Sequence, residues 1–320
     1  MLRLILWRVS LLAPVLVFVS IIAFALLRLA PGDPALVHAG FDATPERIEA
    51  IRTRLALDQP LPLQYWAWLR LAVAGDLGNS YSSGLPVLTI LLSRVPVTLQ
   101  IATMALGITI VGGVALGVLG AIHRGRAPDK IVRVASLSSI SVPNYVLATL
   151  LVLMFGWLIQ GVMPYEGFVR FSDSPLDSFR HSLLPAIALA MPLTGLVARL
   201  TRTSMVEALS QPYIEAARGF GVREVEVVLK DALRNAALPV VTIIGLLAGV
   251  LLGGSVAVET VFGVPGVGRL IIRALIERDY PVITGAVLFI ALSFVVVNLL
   301  VDVLYGLINP KIRSGMDAGT

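Results

Sequence analysis

The stretch "YIEAARGFGVREVEVVLKDALRNAALP", residues 213–239, decides how the chain folds, because it differs from everything around it. It is rich in charged residues and carries two glycines, Gly219 and Gly221, yet it lies between two long aliphatic runs. Those runs are long enough to cross a membrane as helices. The segment is therefore a polar insert between two predicted membrane spans, and this contrast indicates the fold.

The composition excludes a soluble globular domain. Of the 320 residues, 57% are hydrophobic and 14% are charged, whereas a soluble domain carries about a quarter charged residues. These values favour an integral helical membrane protein with a single domain, residues 1–320. The absence of cysteine excludes a disulfide framework, a cysteine zinc cluster and a thiol nucleophile.

Six apolar runs predict an all-α membrane protein with six transmembrane helices. The runs are Val9–Leu27, Thr98–Ile122, Ile131–Leu158, Leu183–Leu200, Ala237–Val258 and Val282–Gly306. Pro143 interrupts the third run, which predicts a kink or a short break there. Four glycines of the second run, Gly112, Gly113, Gly117 and Gly120, predict close approach of a neighbouring helix.

The distribution of basic residues predicts that both termini are cytoplasmic. In that orientation, basic residues outnumber acidic ones about two to one on the inner side, as membrane insertion favours. The net charge of +5 then reflects topology and does not indicate a nucleic-acid partner. A signal peptide cleaved after "AFA", residues 23–25, is the weaker alternative, because the apolar run continues beyond it.

A long external segment, residues 31–96, is predicted between the first two spans. Thr44 followed by Pro45 resembles an N-cap with proline at the first helical position, so a helix over residues 45–56 is expected. A second helix, rich in aromatic residues, is expected over residues 63–73 on the membrane surface. Residues 75–87 form a turn-rich return to the membrane.

Residue patterns for catalysis and for cofactor binding are absent from the sequence. None of the three lysines stands in a GxxxxGK[ST] pattern, so the chain is expected not to bind ATP itself and not to be an enzyme. The three histidines lie far apart, and no metal site is predicted. The glycine-rich "FGVPGVGR", residues 262–269, is interpreted as a tight external turn or a re-entrant loop.

Polar side chains within spans are candidates for functional residues, because burying them in lipid is costly. Asp302, with Asn298 one turn earlier, lies in the sixth span, and Glu259 lies at the outer end of the fifth. Structural roles are favoured: Asp302 would pack near Lys311 or Arg313, and Glu259 would anchor a loop. The candidate structural or path residues are Pro143, Asn144, Glu259, Asn298 and Asp302.

The polar insert resembles the EAA loop of bacterial ABC-importer permeases. That pattern is Glu-Ala-Ala, three residues, glycine and a later Leu-Pro, matched here by residues 215–217, Gly221 and residues 238–239. Eight further segments, in order along almost the whole chain, resemble the dipeptide/oligopeptide/nickel subfamily. They include "LLRLAPGDPA" (26–35), "SVPNY" (141–145) and "ETVFGVPGVGRL" (259–270). The chain looks like the first of the two permease subunits of such an importer.

This resemblance implies a type I ABC-importer fold that works by alternating access. In that family, the EAA loop, here residues 201–236, forms a coupling helix that docks on a cytoplasmic ATPase. The implied coupling residues are Glu215, Ala216, Ala217, Gly219, Gly221, Leu238 and Pro239. The implied partners are a second permease in a heterodimer, two ATPase subunits that use ATP and Mg²⁺, and an extracytoplasmic substrate-binding protein. The implied location is the bacterial cytoplasmic (inner) membrane, and the chain itself would bind no cofactor.

The cargo stays open on the sequence alone. Peptides lead, because they are the largest substrate class of the resembled subfamily, and nickel or a metal chelate is the alternative. The spans contain no cysteine and almost no histidine, which argues against free Ni²⁺ but not against a chelate. A stand-alone carrier or channel is less favoured, because the two halves show no inverted repeat and no charged relay.

Overall fold

The structure is a computed structural model that describes residues 14–25, 35, 43–54 and 57–308. Regular structure in these ranges is helical, apart from an isolated β-bridge between Asn79 and Pro86. The helices are α1 (Pro14–Ala25), α2 (Pro45–Arg54), α3 (Leu61–Val73), α4 (Val87–Ile122), α5 (Ala127–Ser141), α6 (Asn144–Leu153), α7 (Pro175–Leu209), α8 (Pro212–Gly219), α9 (Glu224–Glu226), α10 (Leu233–Gly254), α11 (Val256–Val261), α12 (Val267–Glu277) and α13 (Tyr280–Ile308). A π-helical segment, Val227–Ala232, joins α9 to α10, and another, Met154–Leu158, extends α6.

The all-α membrane class is confirmed by the apolar helices. Four helices in the described part of the chain are long and apolar enough to cross a membrane: α4, α7, the continuous Glu224–Leu251 and the apolar part of α13. The bent pair α5 and α6 adds a fifth crossing if it is one span. The first predicted span overlaps α1, but its residues 9–13 and 26–27 lie outside the described residues. The count of six therefore stays a prediction.

The break predicted at Pro143 is a sharp corner. α5 and the helix from Asn144 to Leu158 meet at 96°. Val142 is extended (φ −94°, ψ 119°) and Pro143 has φ −59° and ψ 142°, so the α-helix cannot continue through either residue. This geometry follows from the steric clash that drives the residue before a proline out of the helical region.

The helix of the second span begins earlier than the sequence indicated. It starts at Val87 rather than at Thr98, and it continues through Pro96. Its 36 residues correspond to about 54 Å of helix, well beyond the roughly 30 Å of a hydrocarbon core. The first turns of α4 therefore fall within residues 31–96, the segment predicted to be external.

The chain divides into two compact units. The first comprises Met1–Pro96 and Arg269–Val295, and the second comprises Val97–Gly268 and Val296–Thr320. In the first unit, α3 packs on α1: Tyr65 Oη lies 2.7 Å from Ser20 Oγ, and the Tyr65 and Trp68 rings contact Phe24. The two helices expected within residues 45–73 are thus present as α2 and α3.

Glycines bring α4, α5 and α7 into close contact in the second unit. A Cβ atom on Gly113 would lie 2.6 Å from Val197 Cγ1, and one on Gly117 would lie 2.4 Å from Thr201 Cβ. On the other side of α7, a Cβ atom on Gly195 would lie 2.0 Å from Ser139 Oγ. The glycines of the second span thus act as predicted, by allowing backbones to approach where a side chain would not fit.

We expect Gly117→Val to lower the thermal stability of the purified protein strongly, because the new side chain must displace Thr201 and the Ala198 carbonyl. Overpacking of this kind costs about 1–3 kcal/mol or more. Gly107→Val is the matched control, since Gly107 lies in the same helix and nothing lies within 4 Å of its added Cβ. Equal melting temperatures for the two variants would contradict the packing of α4 on α7.

Candidate functional site

The polar insert folds as a short helix docked beside a longer one. α8 begins with Pro212 at its first turn and carries Glu215 there, where the carboxylate faces the positive end of the helix dipole. Ile214, on the opposite face of α8, is fully buried in a cluster with Met205, Val227 and Ala232. This apolar contact fixes the orientation of α8, so that Glu215 and Ala216 are exposed.

The end of α8 is a Schellman motif. The amide of Val222 donates to the Ala217 carbonyl (3.1 Å), and the amide of Gly221 donates to the Arg218 carbonyl (3.0 Å). Gly221 has φ +76°, a left-handed conformation that side chains disfavour. Gly219 is different, because it lies within the helix and a Cβ on it would meet nothing within 4 Å. The sharp exit from the helix thus depends on Gly221.

Polar contacts tie α8 to the helix that follows. Arg218 donates to both carboxylate oxygens of Glu224, at 2.6 and 3.1 Å, and Glu224 raises the pKa of the Arg218 guanidinium. Asn235 Nδ2, in α10, donates to Tyr213 Oη at 2.8 Å. Leu238 and Pro239 lie within α10, which continues through the proline. The sequence-predicted coupling residues therefore belong to two elements joined through Tyr213 and Asn235.

Phe220 is a surface feature that the residue patterns did not single out. Its side chain is 89% exposed, more than any other large hydrophobic side chain in the described part of the chain. It stands at the C-cap of α8, next to the Gly221 turn. Val225 and Leu229, 68% and 53% exposed, follow in sequence. An aromatic residue between two glycines in a charged segment is the signal that could have identified it.

The corner at Pro143 lines a pocket. Pro143 and Asn144 line it together with apolar side chains of α7 and α10, and its volume is about 190 Å³. Those side chains are Leu189, Pro192, Leu193, Val250 and Leu251. Two of the predicted path residues thus line the same, mostly apolar cavity. Its volume is below the roughly 300 Å³ at the lower end of the range for small-molecule sites.

Glu259 is fully buried in the second unit. Its Oε1 accepts hydrogen bonds from Thr98 Oγ1 and from Ser255 Oγ, both at 2.8 Å. The Val267 amide donates to Thr98 Oγ1 at 2.9 Å, which closes the turn after α11 over the carboxylate. A Cβ atom on Gly266 would lie 2.4 Å from the Glu259 carboxyl group. These contacts connect the Glu259 carboxylate to the turn that follows α11, and the role of loop anchor favoured by the sequence stays a prediction.

The remaining candidates lie in α13. Asn298 is half-buried. The backbone of Asp302 lies in the same helix, but its side chain and its suggested partners Lys311 and Arg313 lie outside the described residues. Among the described residues, no group of three or more histidine, aspartate or glutamate side chains is placed to hold a metal ion.

Asp279, which the sequence did not single out, organises the first unit. It is 1% exposed and lies between α12 and α13. Its carboxylate accepts from Ser80 Oγ, from the Tyr81 amide, and from both the amide and the hydroxyl of Ser82. The next carboxylate, Glu277, accepts from Arg273 Nε at 2.7 Å, a contact that lowers its pKa. The turn-rich segment is thus bound to the end of α12.

Comparison with known proteins places these features in one family. Residues 113–314 match the family described as binding-protein-dependent transport system inner membrane component, and residues 1–102 match the N-terminal part of such components. A Brucella abortus protein, named provisionally as a peptide transport system permease, is 42% identical over 313 residues, covering 98% of this chain and 99% of its own. The glutathione transport system permease of Escherichia coli (strain K12) is 42% identical over 317 residues, with the same coverage.

Proposed function

This chain belongs to the family of binding-protein-dependent transport system inner membrane components, as a permease of the dipeptide/oligopeptide ABC-importer type, and we propose that it carries small peptides across the membrane. The relatives at 42% identity are named for peptide and glutathione transport. Glutathione is itself a peptide, so one cargo class accounts for both names. Nickel, the alternative left open by the sequence, is not favoured by these relatives.

Permeases of this family work with ATPase subunits. We propose that α8 is the surface on which an ATPase subunit docks and through which its conformational change is transmitted. One observation carries this proposal: buried Ile214 and the Arg218–Glu224 pair attach α8 to the rest of the second unit while Glu215, Ala216 and Phe220 stay exposed. A helix that is fixed on one face and open on the other can transmit a force applied to it. ATP and Mg²⁺ would be bound by the ATPases, and this chain would be the non-catalytic subunit.

The translocation path is proposed to be shared with a second permease. The pocket at Pro143 holds about 190 Å³, which is small for a peptide if ligand sites span about 300–1,000 Å³. Its apolar lining offers no charged group to hold a particular side chain. A path of this kind suits varied peptides, with selection made by the substrate-binding protein outside and with α8 on the cytoplasmic side.

Uptake assays in cells that lack this gene test the proposal. Labelled dipeptide, labelled oligopeptide, glutathione and Ni²⁺ are supplied separately, and uptake is compared with and without the chain restored. We expect peptide or glutathione uptake to depend on the chain, and Glu215→Lys to abolish it without changing the amount of protein in the membrane. Dependence of Ni²⁺ uptake alone would overturn the peptide assignment.

We expect Gly221→Ala to slow transport several-fold, because a left-handed conformation costs an alanine about 1–2 kcal/mol and loosens the exit from α8. Hydrogen exchange should speed up at the Gly221 and Val222 amides, which close the Schellman motif. Gly219→Ala is the matched control, since alanine fits this helical position and favours it. If the two variants had the same hydrogen-exchange rates and the same transport rates, the turn at Gly221 would have no part in coupling.

A further inference from the structure

A cleft lined by three arginines lies between α5 and α7, and none of its lining residues belongs to α8 or lines the pocket at Pro143. Arg133, Ser136 and Leu137 of α5 line one side, and Arg199, Arg202 and Thr203 of α7 line the other. The cleft holds about 230 Å³. All of its walls belong to the second unit.

One of the three arginines, Arg202, is already paired with a carboxylate and links α5 to α7. Arg202 donates from Nε and from Nη2 to the two oxygens of Asp129, the second contact being 2.9 Å. Asp129 is 1% exposed and also accepts from the Gly125 amide at 2.9 Å. This bidentate pair fixes the guanidinium plane of Arg202 and ties the start of α5 to α7.

The other two arginines leave the cleft positively charged. Arg133 lies 3.6 Å from the same Asp129, whose oxygens Arg202 already occupies, and its side chain is 51% exposed. Arg199 is exposed and makes no ion pair within the described ranges. The three guanidinium groups that line the cleft are balanced by one carboxylate, that of Asp129, which leaves a net charge of +2. Guanidinium groups are well suited to clamp an anion that offers oxygen acceptors.

The surroundings indicate what kind of anion fits. Ile131, Val134 and Leu137 repeat every third residue along α5 and are 67%, 64% and 53% exposed, so an apolar stripe runs past the cleft. Arg124, Arg126 and Lys130 flank the start of α5, as basic residues do at the level of lipid headgroups. A phospholipid would contact both the positive charge, through its phosphate, and the apolar stripe, through its acyl chains. A soluble anion would contact only the positive charge.

We propose that the cleft between α5 and α7 binds an anionic phospholipid, with Arg133 and Arg199 clamping its headgroup phosphate and the apolar stripe of α5 covered by its acyl chains. Basic pockets between membrane helices are known to hold such headgroups. A bound lipid would bridge the first element of the bent pair and the helix that leads into α8. Binding there would therefore stabilise one arrangement of α5 relative to α7.

Native mass spectrometry of the importer complex purified in mild detergent tests the proposal. Phosphatidylglycerol and phosphatidylcholine are added at equal concentration, and the bound lipid is counted. We expect phosphatidylglycerol to be retained and the Arg133→Gln/Arg199→Gln variant to bind it about 30-fold more weakly, as two arginines near an anionic headgroup predict. The Arg223→Gln/Arg234→Gln control loses the same charge outside the cleft and should bind as the wild type does.

Four results would overturn the site. Phosphatidylcholine could be retained equally well, or the control could lose lipid as the cleft variant does, and either result would remove the selectivity for the cleft. Millimolar inorganic phosphate could displace the lipid, which would make the ligand a soluble anion. Finally, the intact complex could bind no lipid while the Arg133→Cys or Arg199→Cys variant forms a disulfide, under added oxidant, with a cysteine placed in the second permease. The Arg133→Lys/Arg199→Lys variant, which keeps the charge, should restore most of the binding.

Discussion

Phe220→Ser should weaken the binding of this permease to its ATPase subunit by about 30-fold or more, without lowering the stability of the permease. The side chain is 89% exposed at the tip of the α8 turn and contributes little to the core. An aromatic side chain presented in this way is typical of an interface hot spot, where truncation costs about 2 kcal/mol or more. A loss of 1.4 kcal/mol corresponds to a tenfold change in affinity. Co-purification and a binding titration in detergent measure the effect.

Two comparisons make this prediction specific. Phe171→Ser removes another exposed aromatic side chain, 66% exposed, from the loop before α7, and it should leave ATPase binding unchanged. Phe220→Leu keeps an apolar side chain and should recover part of the affinity. If Phe220→Ser bound the ATPase as tightly as the wild type, α8 would not dock through its C-terminal turn, and Glu215 would have to carry the contact.

Local patterns were sufficient to predict most of the helices. Apolar run length predicted α4, α7, α10 and α13, because a helix that crosses lipid must be apolar over about 20 residues whatever it packs against. Proline chemistry predicted the position of the break at Pro143. It did not predict the size of the bend, since the 96° corner depends on what the two arms contact.

Contacts between residues far apart in sequence were not predictable in the same way. Asp279 and Ser80 are separated by 199 positions, and Asp129 and Arg202 by 73. No periodicity links such partners, and each carboxylate on its own reads as an ordinary loop or helix-start residue. The sequence favoured the role of a loop anchor for Glu259 because the residue precedes a glycine-rich turn, and that role stays a prediction. Its hydrogen-bond partner Thr98 is 161 positions away and could not be predicted from the sequence.

Asp279→Ala should strongly destabilise the first unit, because Asp279 is a buried acceptor of several hydrogen bonds. The substitution leaves two hydroxyls and two amides, from Ser80, Tyr81 and Ser82, without their common acceptor; the Ser80 bond is buried and the other three are partly buried. Hydrogen bonds to a charged group contribute about 1.5–3 kcal/mol each. Part of this is offset because the buried carboxylate no longer has to be desolvated, so we expect a net cost of about 3–5 kcal/mol. Thermal unfolding of the purified protein measures it.

The loss should appear first in residues 80–86, because the Asp279 carboxylate holds that turn against α12. Limited proteolysis is therefore expected to cut the variant there at temperatures where the rest of the chain remains folded. Asp76→Ala is the matched control: Asp76 accepts a hydrogen bond from the exposed Gly78 amide in the same segment, and its loss should cost well under 1 kcal/mol. Asp279→Asn retains one carbonyl oxygen as an acceptor and should fall between the two. Unchanged proteolysis in Asp279→Ala would show that the turn is held by the Leu85–Ser80 and Gly78–Val87 backbone bonds instead.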